Sequence, residues 1–87
     1  MSFPALQLDL RFEGADTFGA LEWVLASARR TGLTLQQIQM QGLSARLVTE
    51  APDADLLHLF LRRVSQGVDV TVTDAEFFNA EEEALAA

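Results

Sequence analysis

A strand followed directly by a helix is encoded in residues 6–32, which read LQLDLRFEGADTFGALEWVLASARRTG. In the first seven of these residues every second position is apolar, and this alternation is typical of a strand with one buried and one solvated face. Apolar residues then recur at helical spacing, with Asp16 or Thr17 as the N-cap and Gly32 as the residue that ends the helix. The sequence therefore predicts a strand over those seven residues and a helix over 17–31.

The next stretch predicts an antiparallel hairpin. Residues 33–40 form a strand whose apolar positions change parity, and a bulge near Gln36-Gln37 would restore a single inward face. Gln41-Gly42 is predicted to be the two-residue loop, because glycine readily adopts positive φ. The expected pairs, with all four side chains facing the core, are Met40 with Leu43 and Ile38 with Ala45.

The second half of the chain repeats this plan. Asp53 is the expected N-cap of a second helix, and Gly67 is predicted to close it. The alternation of Val68, Val70 and Val72 predicts a final strand over 68–73. The expected buried stripe of the second helix is Leu57, Phe60, Leu61 and Val64.

The order β-α-β-β-α-β predicts an α+β fold of the ferredoxin-like type, with a four-stranded antiparallel sheet and two helices on one face. We expect the strand order 4-1-3-2, which leaves the second strand at an edge. Residues 1–75 are predicted to form the single domain and 76–87 an acidic tail that is frayed or briefly helical from residue 80. Phe77 and Phe78 are expected to pack on the edge of the core; the alternative is packing on a partner.

Composition limits the class of protein. The chain has 87 residues, of which 49% are hydrophobic, and this length suits one small domain. With no cysteine, a disulfide, a thiolate metal site and a cysteine nucleophile are all excluded. No apolar run is long enough to span a membrane and no signal peptide is recognisable, so we expect a soluble cytoplasmic protein.

Charge disfavours nucleic acid as a partner. Thirteen acidic residues against six basic ones give a formal net charge of −7, and all six bases are arginines. Nucleic-acid binding needs clustered positive charge, whereas the densest groups here, Arg29-Arg30 and Arg62-Arg63, each fall near a predicted helix end. There they are explained as partners of the helix dipole.

Catalytic groups are few. The single histidine, His58, is predicted to be a solvated surface residue with no nucleophile to serve. The chain has no tyrosine and no lysine, and its carboxylates form no recognisable acid–base pair, metal-ligand spacing or phosphate loop. An enzyme acting through Asp9 or Asp16 is therefore the least favoured class.

One segment carries a family signature. Residues 16–21, Asp-Thr-Phe-Gly-Ala-Leu, followed by Val24, Gly32 and Thr34-Leu35, resemble the pattern of the ACT-domain family, which is Asn or Asp, any residue, Pro, Gly, any residue, Leu, then Val and a helix-closing Gly. The likeness covers about residues 6–73. Within the family it is greatest to the short small subunits of acetolactate synthase. The further residues that look like their pattern are Arg11-Phe12, Arg30-Thr31-Gly32 and Ile38-Gln39-Met40.

The resemblance implies a binding site for a small amino acid between two copies of the chain. Backbone N–H groups at Phe18, Gly19 and Ala20 would hold the ligand carboxylate, as a helix N-terminus can. Asp16 would accept from the ligand ammonium, and Thr34 takes the family position of a ligand-binding Asn. Phe18 replaces the family Pro and Thr34 the Asn, which weakens the match. Three simpler interpretations stay open: Asp16 as an N-cap only, Gly19 as a packing glycine and Phe18 as a core residue.

The resemblance also implies two functions. The first is a non-catalytic regulatory subunit that activates the catalytic subunit of acetolactate synthase in branched-chain amino-acid biosynthesis. Thiamine diphosphate and magnesium would be bound by that catalytic partner, and no cofactor or metal by this chain. The second is a stand-alone amino-acid sensor. Both predict a homodimer through the second strand, since residues 33–43 carry no charge and no proline to protect the edge.

Overall fold

The computed structural model describes residues 3–79, which form one antiparallel sheet covered on one face by two helices. The elements are β1 Pro4–Phe12, α1 Thr17–Thr31, β2 Thr34–Gln41, β3 Ser44–Glu50, α2 Ala54–Ser65 and β4 Val70–Asn79. The strand order is β2-β3-β1-β4, so the predicted topology is confirmed and β2 lies at an edge. The predicted bounds of α1 are also confirmed.

The core lies between the helices and the even-numbered residues of β1. Because successive side chains of a strand point to opposite faces, these residues form one continuous apolar row beneath the helices. The helices bury only part of their predicted apolar stripes on that row, Val24 and Ala28 from α1 and Leu57, Phe60 and Val64 from α2. The largest fully buried side chains are Phe12, Phe60, Leu6, Leu8, Leu10, Leu47, Leu57, Val24 and Val64.

The predicted pairing within the β2–β3 hairpin is wrong. The loop is Gly42-Leu43, so Met40 pairs with Ala45 and Ile38 with Leu47. Gly42 has a φ of 59°, and the first loop position of a type II′ turn favours glycine for that reason. Leu43 belongs to the turn and is exposed, and its carbonyl oxygen accepts a hydrogen bond from the Phe12 N–H at 2.8 Å.

The bulge predicted in β2 is confirmed, because the register with β3 shifts between Leu35 and Gln37. The burial predicted for this strand is wrong. Ile38 and Met40 lie on the helix side of the sheet, yet their exposed fractions are 37% and 42%. All eight residues of β2 are exposed, because the two helices do not cover this edge of the sheet.

The end of α2 and the start of β4 also differ from the prediction. The helix ends at Ser65 and its cap is Gln66, with a φ of −95°, so Gly67 does not close it. Val68 is 84% exposed and lies outside β4. The chain turns at Asp69, whose φ is 64°. This turn interrupts the alternation of Val68, Val70 and Val72, which predicted that the strand begins at residue 68.

β4 is longer than the predicted final strand and continues to Asn79. Within it Phe77, which is 40% exposed, stacks on the exposed His58 of α2, with ring centroids 4.4 Å apart. His58 is exposed, as predicted. The segment from residue 80, including the predicted frayed or helical tail, lies outside the described residues. No helix within 3–79 has the length and apolar character needed to cross a bilayer.

Candidate functional site

Four of the five predicted site residues lie together where β1 leads into α1. Asp16 is the N-cap of α1, and its Oδ1 accepts a hydrogen bond from the Gly19 N–H at 2.9 Å. The Ala20 N–H donates to the Asp16 carbonyl oxygen at 3.1 Å. Two of the three amides expected to hold a ligand carboxylate are therefore bonded within the chain, and Asp16 acts as a helix cap.

Gly19 leaves room for the Asp16 carboxylate in the cap. A Cβ at position 19 would collide with Oδ2 of the Asp16 carboxylate and come within 2.9 Å of its Cγ. The carboxylate thus covers the backbone that a ligand would have to approach. Binding of an amino acid here requires the Asp16 side chain to move away from its cap.

Phe18 is not a core residue, so that interpretation is wrong. Its side chain is 83% exposed, and its ring does not seal the turn after β1. On α1, residues 18, 21 and 25 lie on one side of the helix by spacing. The opposite side carries Trp23, which contacts Gly67 after α2. Phe18 therefore lies on the side of α1 that faces away from the end of α2.

Thr34 is far from the other four residues within one chain. It begins β2, immediately after α1 ends, whereas Gly19 lies in the first turn of α1. A 15-residue helix is about 22 Å long, so nearly the whole length of α1 separates them. Thr34 instead lies beside a shallow cleft of about 150 Å³. Its other lining residues are Phe3, Glu50, Ala51 and Pro52.

Exposed apolar residues lie along the β2 edge, and exposed or half-buried ones lie on the side of α1 away from Trp23. We call this set the apolar band. Its residues are Leu35, Ile38 and Met40 of β2 with Phe18, Leu21 and Leu25 of α1. Helical spacing alone does not distinguish the α1 part of the band from the residues of α1 that face the core. The β2 part of the band lies in a strand without any charged residue, which is typical of an edge that is buried by association.

The uncovered face of the sheet is polar. At its centre Arg46 of β3 makes two hydrogen bonds to Asp9 of β1, with Nε–Oδ1 at 2.8 Å and Nη2–Oδ2 at 3.2 Å. These hydrogen bonds, together with the charge of Asp9, raise the pKa of the Arg46 guanidinium above its usual value. An open depression of about 390 Å³ surrounds the pair. Its lining residues include Gln39, Gln41, Ser44 and Thr73.

The carboxylates considered for catalysis are both engaged, Asp9 with Arg46 and Asp16 with the start of α1. The chain offers no second carboxylate or imidazole in hydrogen-bond contact with either of them, as far as residues 3–79 show. In the same part of the chain no three His, Asp or Glu side chains come together as metal ligands.

Comparison with solved structures shows which fold this is. The crystal structure of the ACT domain from GTP pyrophosphokinase of Chlorobium tepidum superimposes with a TM-score of 0.66 at 10% identity, covering 90% of this chain and 100% of that one. The solution structure of the C-terminal domain of the MgtC protein from Mycobacterium tuberculosis gives a TM-score of 0.56 at 10% identity. That match covers 88% of this chain and 87% of that one. The chain matches no protein-family model, and comparison with curated proteins gives no significant match.

These likenesses define the architecture alone, because the sequences share only a tenth of their residues. The chain has the fold of an ACT domain, over nearly its whole described length. The ferredoxin-like prediction is confirmed at this level. What the chain binds has to be argued from its own surfaces.

Proposed function

We propose that this chain is a non-catalytic regulatory small subunit of acetolactate synthase, which dimerises and activates the thiamine-diphosphate- and magnesium-dependent catalytic subunit in the cytoplasm. The observation that carries the proposal is the apolar band at an open sheet edge. The ACT-type fold and the sequence likeness to short small subunits support the class of partner. The engaged state of Asp9 and Asp16 supports a role without chemistry of its own.

Dimerisation follows from the physics of the β2 edge. An exposed strand offers unpaired N–H and C=O groups, and β2 has no charge or proline to prevent pairing with another chain. A twofold axis beside β2 would pair the strand with its own copy in antiparallel orientation. The same operation would bring the two apolar bands together and bury them.

Such a dimer would also bring Thr34 close to the other four predicted site residues. The Phe12 N–H donates to the Leu43 carbonyl oxygen, so the end of β1, and with it the start of α1, lies at the Gln41 end of β2. Thr34 is at the other end of that strand. In an antiparallel pair, the Thr34 end of one β2 strand lies opposite the Gln41 end of the other. This arrangement would place Thr34 of one copy beside the Asp16–Ala20 turn of the other.

The alternative function is a stand-alone sensor of a small aliphatic amino acid at that interface. The cap formed by Asp16 argues against it, because two of the amides that a carboxylate would need already have partners. We therefore favour docking on a catalytic chain over effector binding. Neither nucleic acid nor a membrane is among the proposed partners.

The decisive experiment mixes the purified chain with acetolactate synthase catalytic subunits from the same source. We expect co-elution on size exclusion and a higher turnover. An Ile38→Lys variant should lose both effects if dimerisation is required, and Gln39→Lys, which adds the same charge on the opposite face of β2, should retain them. Unchanged turnover together with separate elution would eliminate the proposal.

Calorimetry tests the alternative function, a stand-alone amino-acid sensor. A sensor should release heat with valine, leucine or isoleucine, and Gly19→Leu should abolish that heat by filling the turn. A flat titration with all three amino acids would remove the sensor and leave the subunit proposal intact. A gene for a large thiamine-diphosphate enzyme next to the gene of this chain would favour the subunit.

A further inference from the structure

A groove of about 440 Å³ separates the outer sides of the two helices, away from the β2 edge. α1 contributes residues 23, 27 and 30, which share one side of the helix by spacing, and α2 with its cap contributes residues 63 and 66. The volume lies within the range of about 300–1,000 Å³ that small-molecule sites occupy. The lining residues are Trp23, Ser27, Arg30, Arg63 and Gln66.

The groove is positively charged in a chain whose net charge is −7. Arg30 and Arg63 approach it from different helices, and no acidic residue lines it. The hydrogen bond of Arg63 within the described residues is a long one, 3.4 Å from Nη1 to the Thr31 hydroxyl. Arg46 on the sheet, by contrast, is held by a carboxylate. Within residues 3–79, neither the Arg30 nor the Arg63 guanidinium is paired with a carboxylate.

Trp23 gives the groove a flat apolar wall. Its indole is 39% exposed and is held against Gly67, where a Cβ would come within 2.6 Å of the ring. An indole fixed in this way can stack against a planar ring, and such stacking tolerates different bases because each has a π face. The groove therefore combines an anion site with an aromatic platform.

We propose that this groove binds a nucleoside phosphate, with the phosphate between Arg30 and Arg63 and the base against Trp23. A carboxylate has two oxygens, which a single guanidinium fork satisfies. A phosphate monoester has three terminal oxygens and a greater charge, so it can use both forks. The groove lies on the opposite side of α1 from the apolar band, so this site is independent of the proposed dimer interface.

Trp23 is the only tryptophan, so its fluorescence reports directly on the groove. The full chain is titrated with adenosine 5′-monophosphate, inorganic phosphate and adenosine, each followed by emission and by calorimetry. We expect saturable quenching with the nucleotide, and binding roughly tenfold or more weaker for either fragment alone. No change with the nucleotide overturns the proposal, and equal affinity for inorganic phosphate overturns the role of Trp23.

Matched variants distinguish specific binding in the groove from a general effect of positive charge. Arg30→Gln and Arg63→Gln should each weaken nucleotide binding by about tenfold. Arg29→Gln and Arg62→Gln remove the same charge from the same helix turns outside the groove, and should change affinity by less than about twofold. Equal losses in all four variants would overturn the proposal. Thermal unfolding checks that each variant is folded.

The glutamates at 81–83 lie outside the described residues and could compete for the arginines. Repeating the titration with a variant that carries glutamine at these three positions controls for that competition. We expect the difference between Arg30→Gln and Arg29→Gln to persist in this background. Its disappearance would overturn the proposal.

Discussion

The indole of Trp23 lies against Gly67, at a distance that only glycine permits. A Cβ at position 67 would come within 2.6 Å of Cζ3 and 2.8 Å of Cη2 of the ring, and within 3.2 Å of the Val64 carbonyl oxygen. Because the backbone oxygen lies on the other side, the added atom can be accommodated only if the Trp23 ring moves. The contact between Gly67 and Trp23 therefore packs the end of α2 against the side of α1.

Gly67→Ala is expected to lower the free energy of unfolding by about 2 kcal/mol, because the added methyl displaces a packed indole. The measurement is urea denaturation, with Trp23 emission as a second signal. The emission maximum should shift to longer wavelength as the ring becomes more exposed.

The control for this substitution is the same change in a Trp23→Leu background. There the collision is absent, so Gly67→Ala should cost less than about 1 kcal/mol. An equal cost in both backgrounds would show that the ring is not the reason for glycine at this position.

At the start of α1, Asp16 and Gly19 are predicted to be coupled. Asp16→Ala removes the cap and should cost about 1 kcal/mol. Gly19→Ala should be nearly neutral, because its gain in helix propensity is offset by displacement of the Asp16 carboxylate. In an Asp16→Ala background, where that carboxylate is absent, Gly19→Ala should show its full gain in helix stability.

The double variant should therefore be more stable than Asp16→Ala alone by about 1 kcal/mol. Urea denaturation of the four proteins measures this coupling. Simple additivity of the two single changes would contradict the contact between the carboxylate and position 19.

Association through β2 is expected to depend on its helix-side residues. Ile38→Lys places a charge in the apolar band and should convert the dimer to a monomer at tens of micromolar, as measured by light scattering. Gln39→Lys adds the same charge to the same strand on the other face and should leave the dimer intact. Gln39→Lys should cost less than about 0.5 kcal/mol in the monomer, whereas Ile38→Lys should cost about 1 kcal/mol because Ile38 is only 37% exposed. A wild-type monomer at these concentrations would refute the interface.

The start of β4 can be tested with two valines two residues apart. Val70 is 6% exposed, and Val70→Ala should cost about 2 kcal/mol through the cavity it leaves. Val68 is outside the strand, and Val68→Ala should change stability by less than about 0.5 kcal/mol. Thermal or urea unfolding of the two variants distinguishes them. Similar costs would place Val68 in the core after all.

Local patterns predicted most of the fold. The alternation around Leu8 and the helical stripe around Val24 identify β1 and α1, and the parity change in β2 located the bulge near Gln36. Two errors arose at turns. The loop containing Gly42 and the left-handed Asp69 each depend on one residue's φ, which hydrophobic periodicity does not report.

The candidate site was predicted only in part. The N-cap of α1 was predicted to be Asp16 or Thr17, and the structure shows that it is Asp16. The exposure of Phe18 was missed, because a helical stripe alone does not reveal which of its residues the sheet covers. The groove with Arg30 and Arg63 was also missed, because each arginine is explained locally by the dipole of its own helix.

The sequence by itself determined the order of the elements, the cap Asp53 and the uncharged character of β2, and it limited the first cap to Asp16 or Thr17, because all of these depend on residues close together in the chain. Only the tertiary structure decided that the helices leave the β2 edge uncovered, that Gly67 makes room for Trp23, and that Arg30 and Arg63 share one groove. The physical reason is that burial and the convergence of charge depend on how the helices lie on the sheet. That arrangement is a property of contacts between distant residues and is not contained in any local pattern.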